Sequence, residues 1–196
     1  MRFRPRQNAF RPQPPPPRLP LAPWLYVVAL VIIAVAAQQV SKSPQNGTRI
    51  QGEDIVAPAN TARVADGDSI DIGRLRMRLF GIDAPELAQR CLDASGRPYD
   101  CGETAARALQ DLVRNNPLRC VSHGIDQFGR TLAVCTAGDV ELNAAMVEAG
   151  NAVAYREGTL AYVPAEGRAR AAKRGLWAGW FEMPKDFRRE AGRRSD

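Results

Sequence analysis

Residues 64–86, VADGDSIDIGRLRMRLFGIDAPE, combine short apolar runs with a cluster of charge. Residues 61–65, 69–73 and 75–81 have the β-branched and apolar content of three short strands. Asp66-Gly67 and Gly73-Arg74 are the turn signals between them. The same stretch carries Asp68, Asp83 and Glu86, each a hard oxygen ligand or a base, and Arg78, five residues before Asp83. Carboxylates suit a hard cation such as Ca²⁺, and guanidiniums suit phosphate. A second arginine, Arg130, follows in the turn Asp126-Gln127-Phe128-Gly129-Arg130. Carboxylates and arginines brought to one place would form a site for binding and cutting a phosphodiester.

Outward from this stretch, residues 103–115 place Ala105, Ala106, Leu109, Leu112 and Val113 at helical spacing. Residues 118–123 and 131–136 read as strands joined by the 126–130 turn. A second helix is expected over 141–149, closed by Gly150, and a short strand over 152–155. A third helix over 165–174 is closed by Gly175. Short strands interleaved with three helices predict an α+β fold, a small barrel with helical cover. Four cysteines, Cys91, Cys101, Cys120 and Cys135, are an even set. Of three connectivities, Cys91–Cys101 and Cys120–Cys135 is favoured, because Cys120 and Cys135 lie on strands joined by a tight turn. Zinc is the rival, but the spacings hold no CxxC pair and His123 completes no standard pattern. His123 itself reads as an ordinary strand residue.

The formal charge of +6 belongs mostly to the N-terminus. Seven of the 27 basic residues lie in 1–49, which holds no acid, leaving 20 against 21 acidic residues beyond it. Bulk charge therefore gives no argument for nucleic-acid binding by the remainder. Residues 1–23 are basic and Pro-rich and predict a disordered segment. Residues 24–37, WLYVVALVIIAVAA, are uncharged and apolar. As a helix they would span only ~21 Å, short of the ~30 Å hydrocarbon core. A positive flank, an apolar run and then small residues describe either a secretory signal or an uncleaved signal anchor. Both readings export the remainder, to the periplasm or outside the cell, and the second ties it to the membrane by an N-terminal hydrophobic helix. Residues 38–60 read as a polar linker, 61–181 as the folded domain and 182–196 as a basic, solvated tail.

Five blocks carry a resemblance: VADGDS at 64–69, MRLFGIDAPE at 77–86, DQFGR at 126–130, LNAAMVEAGNAVAY at 142–155 and GLW at 175–177. In this order and spacing the chain resembles the thermonuclease family, the staphylococcal-nuclease-like proteins, over roughly residues 60–181. The resemblance implies a five-stranded OB-fold barrel with three helices. It also implies a monomeric domain and Ca²⁺-dependent hydrolysis of DNA and RNA to 3′-phosphate ends. It assigns Asp68 and Asp83 as calcium carboxylates and Ala84 as a backbone-carbonyl ligand. Glu86 would activate or orient the attacking water, and Arg78 and Arg130 would grip the phosphate. Tyr155 falls where the family has a nucleotide-contacting tyrosine.

These types suit the chemistry, since a cation and two guanidiniums can offset the extra charge of a five-coordinate phosphorus. Taken singly, Asp66 and Asp68 read as turn residues, Arg78 and Glu86 as a surface ion pair, Arg130 as a turn cap, and Trp177 and Trp180 as packing. The blocks taken together favour catalysis. Gln127-Phe128 replaces a basic residue and a tyrosine of the best-known members, which lack the two disulfides as well. The rival functions are a non-catalytic OB module that binds nucleic acid or another partner, and an envelope protein whose N-terminal helix matters most.

Overall fold

The computed structural model describes residues 51–195. The segments expected at 1–23 and 24–37 lie outside the described residues, as does 38–50. Among the described residues no helix is long and apolar enough to cross a membrane.

The order of elements is mixed α+β. Strands β2 (Ala62–Asp66), β3 (Ser69–Ile72) and β4 (Leu75–Leu79) form the expected antiparallel meander. The β3–β4 turn needs Gly73, whose φ is +59°, a left-handed value that costs glycine little. The first turn is centred on Gly67 and Asp68, since Asp66 pairs with Ser69. Strands β8 (Leu118–Ile125) and β9 (Thr131–Ala137) form a hairpin, and β9 runs parallel to β4. These five strands are contiguous in one sheet, in the order β8-β9-β4-β3-β2.

The sheet has seven strands rather than five. β1 (Gln51–Ala57) adds an edge against β8, and β10 (Val140–Glu141) pairs with β9. β1 corrects the expected linker over 38–60, because its hydrogen bonds come from β8, more than 60 residues away in sequence. Two small pairs complete the strands: β5 (Ile82–Asp83) with β11 (Val153–Ala154), and β6 (Arg90–Leu92) with β7 (Pro98–Asp100).

Helix α1 (Cys101–Val113) buries Ala105, Leu109 and Val113 at four-residue spacing, one stripe facing the sheet. With α2 (Leu142–Glu148) it closes a core that includes Ile70, Met77, Leu79, Leu118, Leu142 and Met146. A second cluster gathers Cys91, Cys101, Val153 and Leu176. Helix α3 (Val163–Ala171) precedes a 3-10 turn at Gly175–Ala178. The segment expected as a solvated tail contains the fourth α-helix among the described residues, α4 (Pro184–Ser195).

Both expected disulfides are present, Cys91–Cys101 and Cys120–Cys135. The second joins residues directly opposed in the β8–β9 register. Closing loops of this length constrains the unfolded chain by ~2–4 kcal/mol each.

Candidate active site

Asp68 sits at the tip of the β2–β3 turn yet is only 2% exposed. Gly67 explains this: a Cβ there would lie 2.7 Å from the Cβ atoms of both Ala84 and Ala105. Only a bare backbone lets the turn press into the core. The Asp68 N–H donates to Asp66 Oδ1 at 3.0 Å, so Asp66 is the turn-forming residue. Arg78 lies on the next-but-one strand, in register with Ser69. Its Nη1 donates to Asp68 Oδ1 at 2.7 Å and its Nη2 to Asp83 Oδ1 at 2.6 Å. Asp83, also 2% exposed, is fixed by the β5–β11 pair.

One guanidinium thus spans two buried carboxylates. The resemblance assigned Arg78 to phosphate and the aspartates to an ion; here the Arg78 guanidinium hydrogen-bonds to both aspartates. Buried carboxylates repel each other and require a nearby cation, and Arg78 is the one that bridges both. The Ala84 contact at the site is its N–H, which donates to Asp68 Oδ2 at 2.9 Å. Burial pushes the Asp68 carboxyl up to about 7 against the pull of Arg78, with Asp66 and Asp83 adding to the rise. Burial also works against the charge on Arg78, but Asp68 and Asp83 outweigh it and hold the guanidinium above its ordinary range. Asp68 is therefore short of positive charge even with Arg78 in place. Two neighbouring buried carboxylates are hard oxygen donors of the kind that a hard divalent cation satisfies, so Asp68 and Asp83 fit such an ion. Among the described residues no three His, Cys, Asp or Glu side chains form a ready cage.

Glu86 stands on the loop after β5. Gln89, fully buried, accepts from the Glu86 N–H at 3.3 Å and donates through Nε2 to the Glu182 carbonyl at 2.7 Å. Gly102, at the start of α1, packs so closely on the Glu86 carbonyl that any side chain would collide with it. Arg130 is locked by Asp126, which accepts from its backbone N–H at 2.9 Å and its Nε at 2.8 Å. Burial would raise Asp126, but the donors on Arg130 and the Phe128 N–H outweigh it and hold the carboxyl below its usual range. The Arg130 guanidinium also lies 5.5 Å from the Phe128 ring centre.

Arg78, Glu86, Arg130 and Tyr155 line one cleft of about 870 Å³. Tyr155 donates through its hydroxyl to Glu157 Oε2 at 2.7 Å, which raises its pKa. His123 stacks on Phe80 with ring centres 4.7 Å apart. Trp177 packs against Phe181 and under Arg170. Trp180 exposes its ring while its backbone pairs with Leu92.

A further cation enters the same cleft. Arg188, on α4, donates through Nη1 to Asp83 Oδ1 and Glu86 Oε1, and through Nη2 to Asp83 Oδ2, all at 2.9 Å. Partial burial opposes its charge, but the hydrogen bonds to Asp83 and Glu86 prevail and raise its pKa. Gln89 and Gly102 were not singled out in the sequence, and Arg188 was read only as one arginine of a basic, solvated tail. The only signal for Arg188 was a run of arginines, which does not reveal where the helix docks.

A family model described as "Staphylococcal nuclease homologue" matches residues 76–179. The chain is 38% identical over 119 residues to the succinoglycan biosynthesis protein ExoI of Rhizobium meliloti, covering 59% of this chain and 62% of that protein. It is 33% identical to an uncharacterized endonuclease of Haemophilus influenzae, covering 67% of this chain and 74% of that one. It is 35% identical to the micrococcal nuclease of Shigella flexneri, covering 59% and 71% respectively.

Proposed function

We propose that this chain, which belongs to the staphylococcal nuclease homologue family, is an exported, Ca²⁺-dependent nuclease that cleaves both DNA and RNA. Membership makes it a phosphodiester hydrolase; the ion, the breadth of substrate and the export are our reading. The observation that carries it is the convergence of Asp68, Asp83 and Arg78 beside a cleft that Glu86 and Arg130 also line. Two relatives named as an endonuclease and a micrococcal nuclease support nucleic acid as substrate. Two disulfides support an oxidising compartment. The basic and apolar order of residues 1–37 supports export, with the membrane as a partner if 24–37 stays uncleaved.

Asp68 and Asp83 would hold the ion, with Ala84 supplying a carbonyl. Bound there, a divalent cation supplies Lewis-acid neutralisation of charge on a phosphoryl oxygen. Arg130, held rigid by Asp126, presents a guanidinium to the phosphate without reorganisation. Arg78 keeps the two aspartates together. Glu86, at 37% side-chain exposure, can reach solvent and is the group to take a proton from, or orient, the attacking water. Tyr155 offers a hydroxyl and a ring at the rim for a nucleotide.

The test is digestion of plasmid DNA and RNA by the purified chain, with Ca²⁺ and with chelator. Cleavage should need the ion, and Glu86→Gln and Arg130→Ala should each lower turnover by about 10²–10³-fold. Binding without cleavage, unaffected by Ca²⁺, would replace this reading with that of a non-catalytic OB module.

A further inference from the structure

The family match ends at residue 179, and the chain beyond it is tied to the site at several points. Trp180 and Leu92 exchange backbone hydrogen bonds at 3.1 and 2.8 Å, and the Glu182 carbonyl accepts from Gln89 at 2.7 Å. This anchors the root of α4 beside the Glu86 loop. On the helix, Lys185 and Arg188 are three residues apart and share a face. Lys185 pairs with Glu157, the carboxylate that also accepts from Tyr155. Arg188 forks onto both oxygens of Asp83 and reaches Glu86. One turn of α4 therefore engages Asp83 and Glu86 directly and Tyr155 through Glu157.

α4 buries little of itself. Of its residues whose exposure is described, Pro184 alone is buried, while Lys185, Arg189 and Arg193 are exposed. Its attachment to the cleft is ionic and its root is fixed, the build of a hinged strap. The charges also conflict with metal loading. A divalent ion coordinated by Asp83 would crowd onto a carboxylate whose oxygens already accept three hydrogen bonds from Arg78 and Arg188, and a third cation there repels the two guanidiniums.

We propose that α4 is an autoinhibitory strap in which Arg188 competes with the divalent cation for Asp83 and covers Glu86. Metal binding and release of α4 are then one linked equilibrium. The inference rests on the metal-dependent reading above. Its consequence is that the free enzyme is held closed, and Ca²⁺ or a polyanion competing for Arg188 opens it.

Calorimetric titration of the full chain with CaCl₂ tests this without reference to activity. Apparent affinity is the intrinsic affinity multiplied by the open fraction, so a mostly closed strap predicts at least about tenfold tighter binding in Arg188→Ala. Lys185→Ala should tighten binding less, and Arg193→Ala, further along the exposed helix, should leave it unchanged. Equal or weaker Ca²⁺ affinity in Arg188→Ala overturns the strap. Absence of Ca²⁺ binding in every protein overturns the metal reading beneath it as well. Hydrogen exchange of the wild-type chain gives a second measurement that needs no variant. Ca²⁺ should accelerate exchange of the α4 amides, and unchanged or slower exchange would refute the linkage.

Discussion

The substitution Asp68→Asn separates the cost of the site from its use. The Asp68 carboxyl titrates at about 7 in the folded chain against an ordinary value of 3.8. The unfolded chain therefore gives up this proton first as pH rises. Over the interval between the two values the native state binds more protons than the unfolded one, so stability falls with rising pH. A shift of about three units is worth about 4 kcal/mol, nearly all of it incurred between about pH 4 and pH 8. The asparagine side chain cannot ionise and escapes this loss. Its amide has one acceptor oxygen where the Asp68 carboxyl, ionised or not, has two, and three donors converge there: Arg78, Ser69 and the Ala84 N–H. One mismatched donor costs about 1–3 kcal/mol at any pH. In chelator the variant should thus be less stable than wild type near pH 4 and more stable near pH 8, with the difference moving by about 4 kcal/mol. Urea unfolding of both proteins at the two pH values measures it. A difference that stays constant, or moves the other way, would refute the claim that burial leaves Asp68 short of positive charge. Adding Ca²⁺ should stabilise wild type and not the variant.

Gly102→Ala places a methyl group against the Glu86 carbonyl, so the loop must shift. Catalytic efficiency should fall on the order of 10²-fold and stability by about 1–3 kcal/mol, read by initial rates and urea melts. Full activity would mean that Glu86 is not positioned by this contact. Cys120→Ser with Cys135→Ser should cost ~3 kcal/mol for a loop of this length and leave the cleft intact. Cys91→Ser with Cys101→Ser should cost less stability but more activity, because Cys101 opens α1 beside Gly102. Thermal melts paired with rates distinguish the two bridges, and equal effects on activity would contradict the assignment.

Much of the domain was legible before any coordinates. The meander of β2, β3 and β4 follows from two turn signals and local β-formers. The stripe Ala105, Leu109 and Val113 marks α1 by period alone. Cys120 opposite Cys135 follows from a hairpin whose turn is written in residues 126–130. Asp68, Arg78, Asp83, Glu86 and Arg130 could be named because residue types and spacing constrain chemistry. β1 could not be read, since an edge strand with a weak pattern is made by its distant partner.

The sequence by itself supplied an inventory: the fold class, the favoured cysteine pairs and five charged groups, Asp68, Arg78, Asp83, Glu86 and Arg130. Each of these depends on patterns within a few residues of each other or on the order of motifs along the chain. The tertiary structure alone decided which cation meets which carboxylate. Arg78 bridges Asp68 and Asp83, and Arg188, 105 positions beyond Asp83, closes over Asp83 and Glu86. Ion pairing depends on where folded elements dock and how deeply they are buried, and no local pattern encodes either.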